Sequence, residues 1–151
     1  MIRGVRRGVG ALAMMLVLVV GGVTAANADA SGASSWGGGF SVSVKGQSIG
    51  IPGGTLFHQV KGKGLVVNYT WANTAQFAGG PICLWQIDFT FKANGRVYSR
   101  DWGAYHSACN WGNSANRESG AWRKASRNGQ ACAQLFIDWA SKTEQCHWIY
   151  G

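Results

Sequence analysis

Acidic residues are scarce: 6 Asp and Glu stand against 14 Lys and Arg in 151 residues, and charged residues of both signs reach only 13%. So little charge argues against a long solvated helix or a coiled coil, whose outer faces are densely charged. It also weakens the case for a carboxylate enzyme, because a glycosidase needs two acids facing each other across a cleft. No G-x-S-x-G elbow, H-E-x-x-H pair or P-loop occurs, so the common hydrolase and nucleotide-binding signatures are missing. C-x-x-C pairs are absent too, which removes the usual spacing of a zinc site. Disorder is excluded from the other side, since 46% of residues are hydrophobic. No catalytic residue, metal or cofactor is expected.

The first thirty residues read differently from the rest. Arg3, Arg6 and Arg7 precede an apolar run from Ala11 to Val20, and small residues follow to Ala28-Asp29-Ala30. A basic start, an apolar centre and an A-x-A end predict a secretory signal peptide over 1–30, cleaved after Ala30. The apolar run is shorter than the ~20 residues that span a bilayer, and no second one follows, so no membrane span is expected after cleavage. Residues 31–151 keep 11 basic and 5 acidic residues, a net charge of +6. A secreted, extracellular protein is the expectation.

In an oxidising compartment Cys83, Cys109, Cys132 and Cys146 are read as two disulfides, for which three pairings exist. Strand register favours one of them. In Ile82 to Lys92, Cys83, Trp85, Ile87, Phe89 and Phe91 alternate with polar residues. Asn94-Gly95 then marks a hairpin turn, and Arg96 to Trp102 returns. This register sets Phe91 against Tyr98 and Ile87 against Trp102, and brings Cys83 close to Cys109. It also opposes Asp88 to Asp101, with Lys92 or Arg100 near enough to screen the pair. Ala131 to Ala140 alternates as well, with Ala133, Leu135, Ile137 and Trp139 on one face. A turn at Ser141 to Glu144 sends Gln145 to Tyr150 back, so Cys132 meets Cys146. The two-residue period favours a strand here over a helix.

Leu56 to Val60 and Leu65 to Trp71 add two strands around Gly62-Lys63-Gly64, the second with Leu65, Val67, Tyr69 and Trp71 on one face. The expected fold is all-β, a single small antiparallel sandwich or barrel of about seven strands over 53–151, with two disulfides. Residues 31–52 are rich in Gly and Ser and read as a flexible N-terminal arm. Within it Phe40-Ser41-Val42-Ser43-Val44 alternates like a strand. Added to an open sheet edge on a partner, it would bind through its backbone, with Phe40, Val42 and Val44 as anchors; an edge strand of the protein's own sheet is the alternative.

Of eight tryptophans, Trp85, Trp102 and Trp139 fall on apolar strand faces and are expected in the core. Trp36, Trp111 and Trp122 sit in glycine-rich or polar stretches, where exposed aromatics serve as contact residues, with burial under a loop as the alternative. The densest basic stretch, Arg117, Arg123, Lys124 and Arg127, interleaves Trp122 and suits an anionic cell-envelope polymer or a carbohydrate. His58, His106 and His147 have no spacing that assembles a catalytic group. Nucleic acid is not expected as a partner.

Five motifs form a set: Gly54-Thr55-Leu56-Phe57-His58-Gln59-Val60-Lys61-Gly62-Lys63-Gly64, Ile82-Cys83-Leu84-Trp85-Gln86-Ile87-Asp88-Phe89, His106-Ser107-Ala108-Cys109, Ala131-Cys132-Ala133-Gln134-Leu135 and Gln145-Cys146-His147. The set resembles small secreted disulfide-bonded proteins of filamentous actinobacteria, among them the small adaptor subunit of antibacterial umbrella toxin particles. The resemblance runs from about Gly53 onward. It implies a compact β-domain with an N-terminal extension, held by a repeat protein and carrying a lectin-like subunit. The function expected is therefore a non-enzymatic protein-binding domain in a secreted toxin complex. A cell-envelope or carbohydrate-binding module acting through Trp122, Arg123, Lys124 and Arg127, and a secreted protease inhibitor, are the alternatives.

Overall fold

The computed structural model describes residues 29–111, 115–120 and 123–151; nearly all of the expected leader, 1–28, lies outside them. The described residues form twelve strands in order: β1 (Ala30–Trp36), β2 (Phe40–Val44), β3 (Gln47–Ile51), β4 (Gly54–Lys63), β5 (Val66–Gln76), β6 (Ile82–Ala93), β7 (Arg96–Asp101), β8 (His106–Asn110), β9 (Asn116–Ser119), β10 (Arg123–Lys124), β11 (Gly129–Ile137) and β12 (Ala140–Ile149). Every pairing is antiparallel. The first sheet runs β1-β4-β5, with β9 and β10 sharing the far edge of β5. The second runs β12-β11-β6, with β7 and β8 sharing the far edge of β6. The expected all-β sandwich with two disulfides is what the chain forms, with about twelve strands rather than seven.

Apolar residues of the two sheets meet face to face. Leu56 and Ala72 pack with Ile87, Phe89, Ala133, Leu135 and Ile137 in the larger cluster, and Val60 and Val67 with Phe91, Ala131 and Ile149 in the smaller. Strand β6 is central and buried on both faces, so its polar residues Gln86, Asp88 and Thr90 are buried as well.

Part of the segment expected as a flexible arm belongs to the sandwich. Strand β1 pairs along β4 from Ala30↔Val60 to Trp36↔Gly54. It starts ahead of the expected cleavage point, and the Asp29 Oδ1 accepts a 2.8 Å hydrogen bond from the Gly62 N–H. Strands β2 and β3 form their own hairpin around Lys45-Gly46, both at positive φ as a two-residue turn requires. Val42 and Ile51, at 3% and 1% exposure, anchor that hairpin on the larger cluster.

Four register shifts interrupt the ladders. Asn68 is an extra residue against Lys61/Gly62, so Thr70, Ala72 and Thr74 point inward while Tyr69 and Trp71 do not. Tyr98 is extra against Phe91/Lys92, which sets Phe91 opposite Ser99 and Phe89 opposite Asp101. On β8, Ser107 and Ala108 stand against Leu84 alone, which adopts φ 53°, and on β12 Lys142 is extra against Leu135/Phe136. The expected Asp88–Asp101 opposition is thereby undone. The β11–β12 turn is Asp138-Trp139, with Ile137 paired to Ala140, and not Ser141 to Glu144.

Candidate functional site

The cysteines pair as register favoured. Cys83–Cys109 joins β6 to β8, Cys132–Cys146 joins β11 to β12, and no thiol is free. One potential metal-ligand grouping, Cys132, Cys146 and Glu144, occurs among the described residues. Its sulfurs are bound to each other, and Glu144 is engaged by the Lys92 ammonium.

The N-terminal contact candidates face inward. Trp36 is 3% exposed and donates its indole N–H to the Pro52 carbonyl at 3.2 Å. Its glycine-rich surroundings suggested exposure, but glycines leave room for the ring: any side chain at Gly54 would meet it at 2.5 Å. Val42 is buried, and Phe40 and Val44 are half-buried, with the Lys142 ammonium 3.8 Å from the centre of the Phe40 ring. The apolar side of β2 is thus used by the chain's own core.

The basic stretch is not one surface. Arg117 donates to the carbonyls of Ile87, Asp101 and Trp102, lies 4.6 Å from the Phe89 ring and pairs with Asp101. Arg123 pairs with the same carboxylate. Asp101 therefore ties β7 to β9 and β10, closing one side of the sandwich. Lys124 is exposed, and Arg127 lies over the Tyr98 ring at 5.2 Å. Trp122 lies outside the described residues.

His58 and His147 meet inside the sandwich, their ring centres 5.0 Å apart. His58 Nδ1 donates to the Gln145 carbonyl at 3.1 Å, which leaves Nε2 to accept from the Thr70 hydroxyl at 2.9 Å. His147 Nε2 donates to the His58 carbonyl at 3.1 Å. Burial, reinforced by His147, lowers the His58 pKa to about 3. Both imidazoles are committed to linking β4 with β12. His106 stands apart, stacked on Trp85 at 3.8 Å.

One exposed aromatic surface is not foreshadowed by the strand pattern. Trp102 and Trp139, expected in the core, are each 68% exposed. Trp102 lies just past the end of β7, and Trp139 occupies the second position of the β11–β12 turn at φ 63°. A bulky side chain in this left-handed region costs about 1–2 kcal/mol. Asn-Gly or Asp-Gly would fit the turn without that cost. The Trp139 ring stacks on Tyr105 at 4.2 Å and 10°, a contact worth about 0.5–1.5 kcal/mol. The Asp138 N–H donates to the Leu84 carbonyl at 2.8 Å, fixing the turn to β6. Burial and the nearby Asp138 carboxylate push the Tyr105 phenol above its usual value, so its hydroxyl stays protonated.

Beside these rings runs a connected polar row. The fully buried Asp88 accepts from Gln86 at 2.7 Å and from the Gly103 N–H at 2.9 Å through Oδ1, and from Arg100 at 2.7 Å through Oδ2. Arg100 also donates to Gln134 at 3.2 Å, and Gln134 to Ser141 at 3.0 Å. The Arg100 guanidinium lies 4.7 Å from the Trp102 ring and 5.8 Å from Phe136. Gly103 permits the close approach, since a Cβ there would stand 2.1 Å from the Ile87 carbonyl. With both oxygens committed, Asp88 serves to orient Arg100. One end of the second sheet thus carries Trp102 and Phe136 beside Arg100, and the stacked pair Tyr105 and Trp139 on the loop and turn that follow.

Comparison with known protein families, curated proteins and solved structures gives no match to this chain.

Proposed function

We propose that the protein is exported and acts outside the cell as a non-enzymatic binding module, with the aromatic end of its second sheet as the contact surface. The observation that carries this reading is Trp139, a large exposed ring held in a backbone conformation that disfavours it. Strain without burial in return is a mark of a functional position. Two disulfides with no free thiol fit an oxidising compartment. The test immobilises the mature protein and a W102A/W139G variant and exposes both to cell-envelope fragments and to concentrated secreted protein. Retention by the wild type alone is expected; equal retention by both refutes the reading.

A second reading, an adaptor in an antibacterial toxin complex, draws on the β2–β3 hairpin. It pairs with neither five-stranded sheet, so its outer backbone edges suit strand addition by a partner. Ser48 is exposed, and Gly50 has open space where a side chain would project. Lysines there (S48K/G50K) should block capture of a protein partner without unfolding the hairpin. Unimpaired capture refutes this reading.

A further inference from the structure

We propose that the ligand of the aromatic surface is a saccharide, its pyranose faces seated on the rings of the Trp102–Tyr105 loop and the Asp138–Trp139 turn. The inference rests on the binding-module reading and names its ligand class.

A pyranose ring has two characters. Its axial C–H groups form an apolar face, and its equatorial hydroxyls form a polar rim that both donates and accepts. A complementary site needs flat, exposed, immobile rings and, beside them, planar polar groups held in fixed directions. Both are present. Tyr105 braces Trp139 at 10° between ring planes. Trp102 lies against Arg100 at 4.7 Å. Arg100 is itself held by the buried Asp88, and the bonds described for it use only Nη1. Nη2 and Nε are therefore outside this network and suited to donate to hydroxyls. Ser141 and the protonated Tyr105 hydroxyl both donate and accept.

A protein partner would call for a different surface. Protein contacts concentrate energy in a continuous apolar centre from which water is excluded, with polar groups at the rim. Here the order is reversed. The Arg100 guanidinium, fixed from beneath by the buried Asp88 and flanked by Gln134 and Ser141, stands beside the rings of Trp102 and Phe136. Fixed polar groups in the middle of an interface penalise a flat apolar partner and reward one rich in hydroxyls.

The test uses the immobilised mature protein and envelope fragments divided into three lots: untreated, treated with protease, and treated with periodate, which cleaves the vicinal diols of sugars. Retention is expected to survive protease and to disappear after periodate. Soluble chitohexaose, cellohexaose and xylohexaose are then titrated against tryptophan fluorescence. At least one should shift the emission, with affinity falling ten-fold or more in W139G and in W102A and unchanged in W148A, which removes an exposed ring elsewhere on β12. Circular dichroism confirms that each variant is folded. Retention lost to protease and kept through periodate overturns the saccharide while leaving the contact surface standing. Equal retention by wild type and W102A/W139G overturns both, and affinity within two-fold of wild type in folded W139G overturns the saccharide site.

Discussion

His58 shows how a single side chain sets a property of the whole protein. It is neutral in the folded state, with a pKa of about 3 caused chiefly by burial. In the unfolded chain an ordinary imidazole titrates near 6.5. Between those values the unfolded state binds the extra proton, so this contribution to stability is complete above about pH 6.5 and lost progressively as pH falls toward 3. The full loss is on the order of 5 kcal/mol. Urea melts between pH 7 and pH 4.5 should show the decline beginning above the range in which carboxylates protonate, and H58L should flatten it. An unchanged slope in H58L would place the effect elsewhere.

Asp88 is the second residue on which much turns. Removing its charge as D88N leaves Arg100 without its anion and the Gly103 N–H with a weaker acceptor. Breaking such a partly buried pair should cost about 2–3 kcal/mol, less than for a fully buried one because Arg100 is 22% exposed. Thermal melting measures it. D88N should also weaken ligand binding, since Arg100 would no longer be fixed beside Trp102.

At the scale of elements, the β11–β12 turn sets stability against function. W139G places the favoured Asp-Gly pair in a two-residue turn. The relieved strain offsets the lost stacking on Tyr105, so the melting temperature should hold or rise while binding falls. A drop of more than about 5 °C would show that Trp139 serves the fold. The same turn shows where sequence reading succeeds and where it stops. Asn94-Gly95 was legible because both residues tolerate positive φ, and the strict alternation of Ile82 to Lys92 was legible because β6 packs an unbroken apolar face on the core. Alternation also set the cysteines of each disulfide on neighbouring strands. Asp138-Trp139 carries no turn signal, so Trp139 was counted into the apolar face of the preceding strand. The bulges at Asn68 and Tyr98 leave no trace in a two-residue period, yet each reverses the face of the residues after it. Apart from Trp36, strand β1 is built of Ala, Ser and Gly, whose small side chains look like linker until β4 is present to pair with them. Of the aromatic surface only the residue types were legible. The Trp102–Tyr105 loop and the β11–β12 turn come together through sheet pairing across more than thirty residues.

Across the whole molecule, the start of β1 bears on processing. A cut after Ala30 would remove the carboxylate that binds the Gly62 N–H and the first pair of the β1–β4 ladder. Ala26-Asn27-Ala28 offers the same small-x-small pattern two residues earlier. Where export removes the leader, intact mass measurement of the processed chain should show Asp29 as its first residue; a chain beginning at Ser31 would contradict this.

Both disulfides lie within the second sheet, and neither crosses to the first. Chain closure of this size contributes about 3 kcal/mol per bridge under the loop-entropy account. Among the described residues, packing, the His58 and His147 hydrogen bonds, the Ser34–Thr143 contact and the Asp101 ion pairs join the two sheets without a covalent link. The two halves should therefore exchange amide hydrogens as separate cooperative units. Protons of β6, β11 and β12 would be the last to leave, and those of β1, β9 and β10 the first. The aromatic surface rides on the slow half, so ligand contact can persist while the opposite face of the sandwich opens and closes.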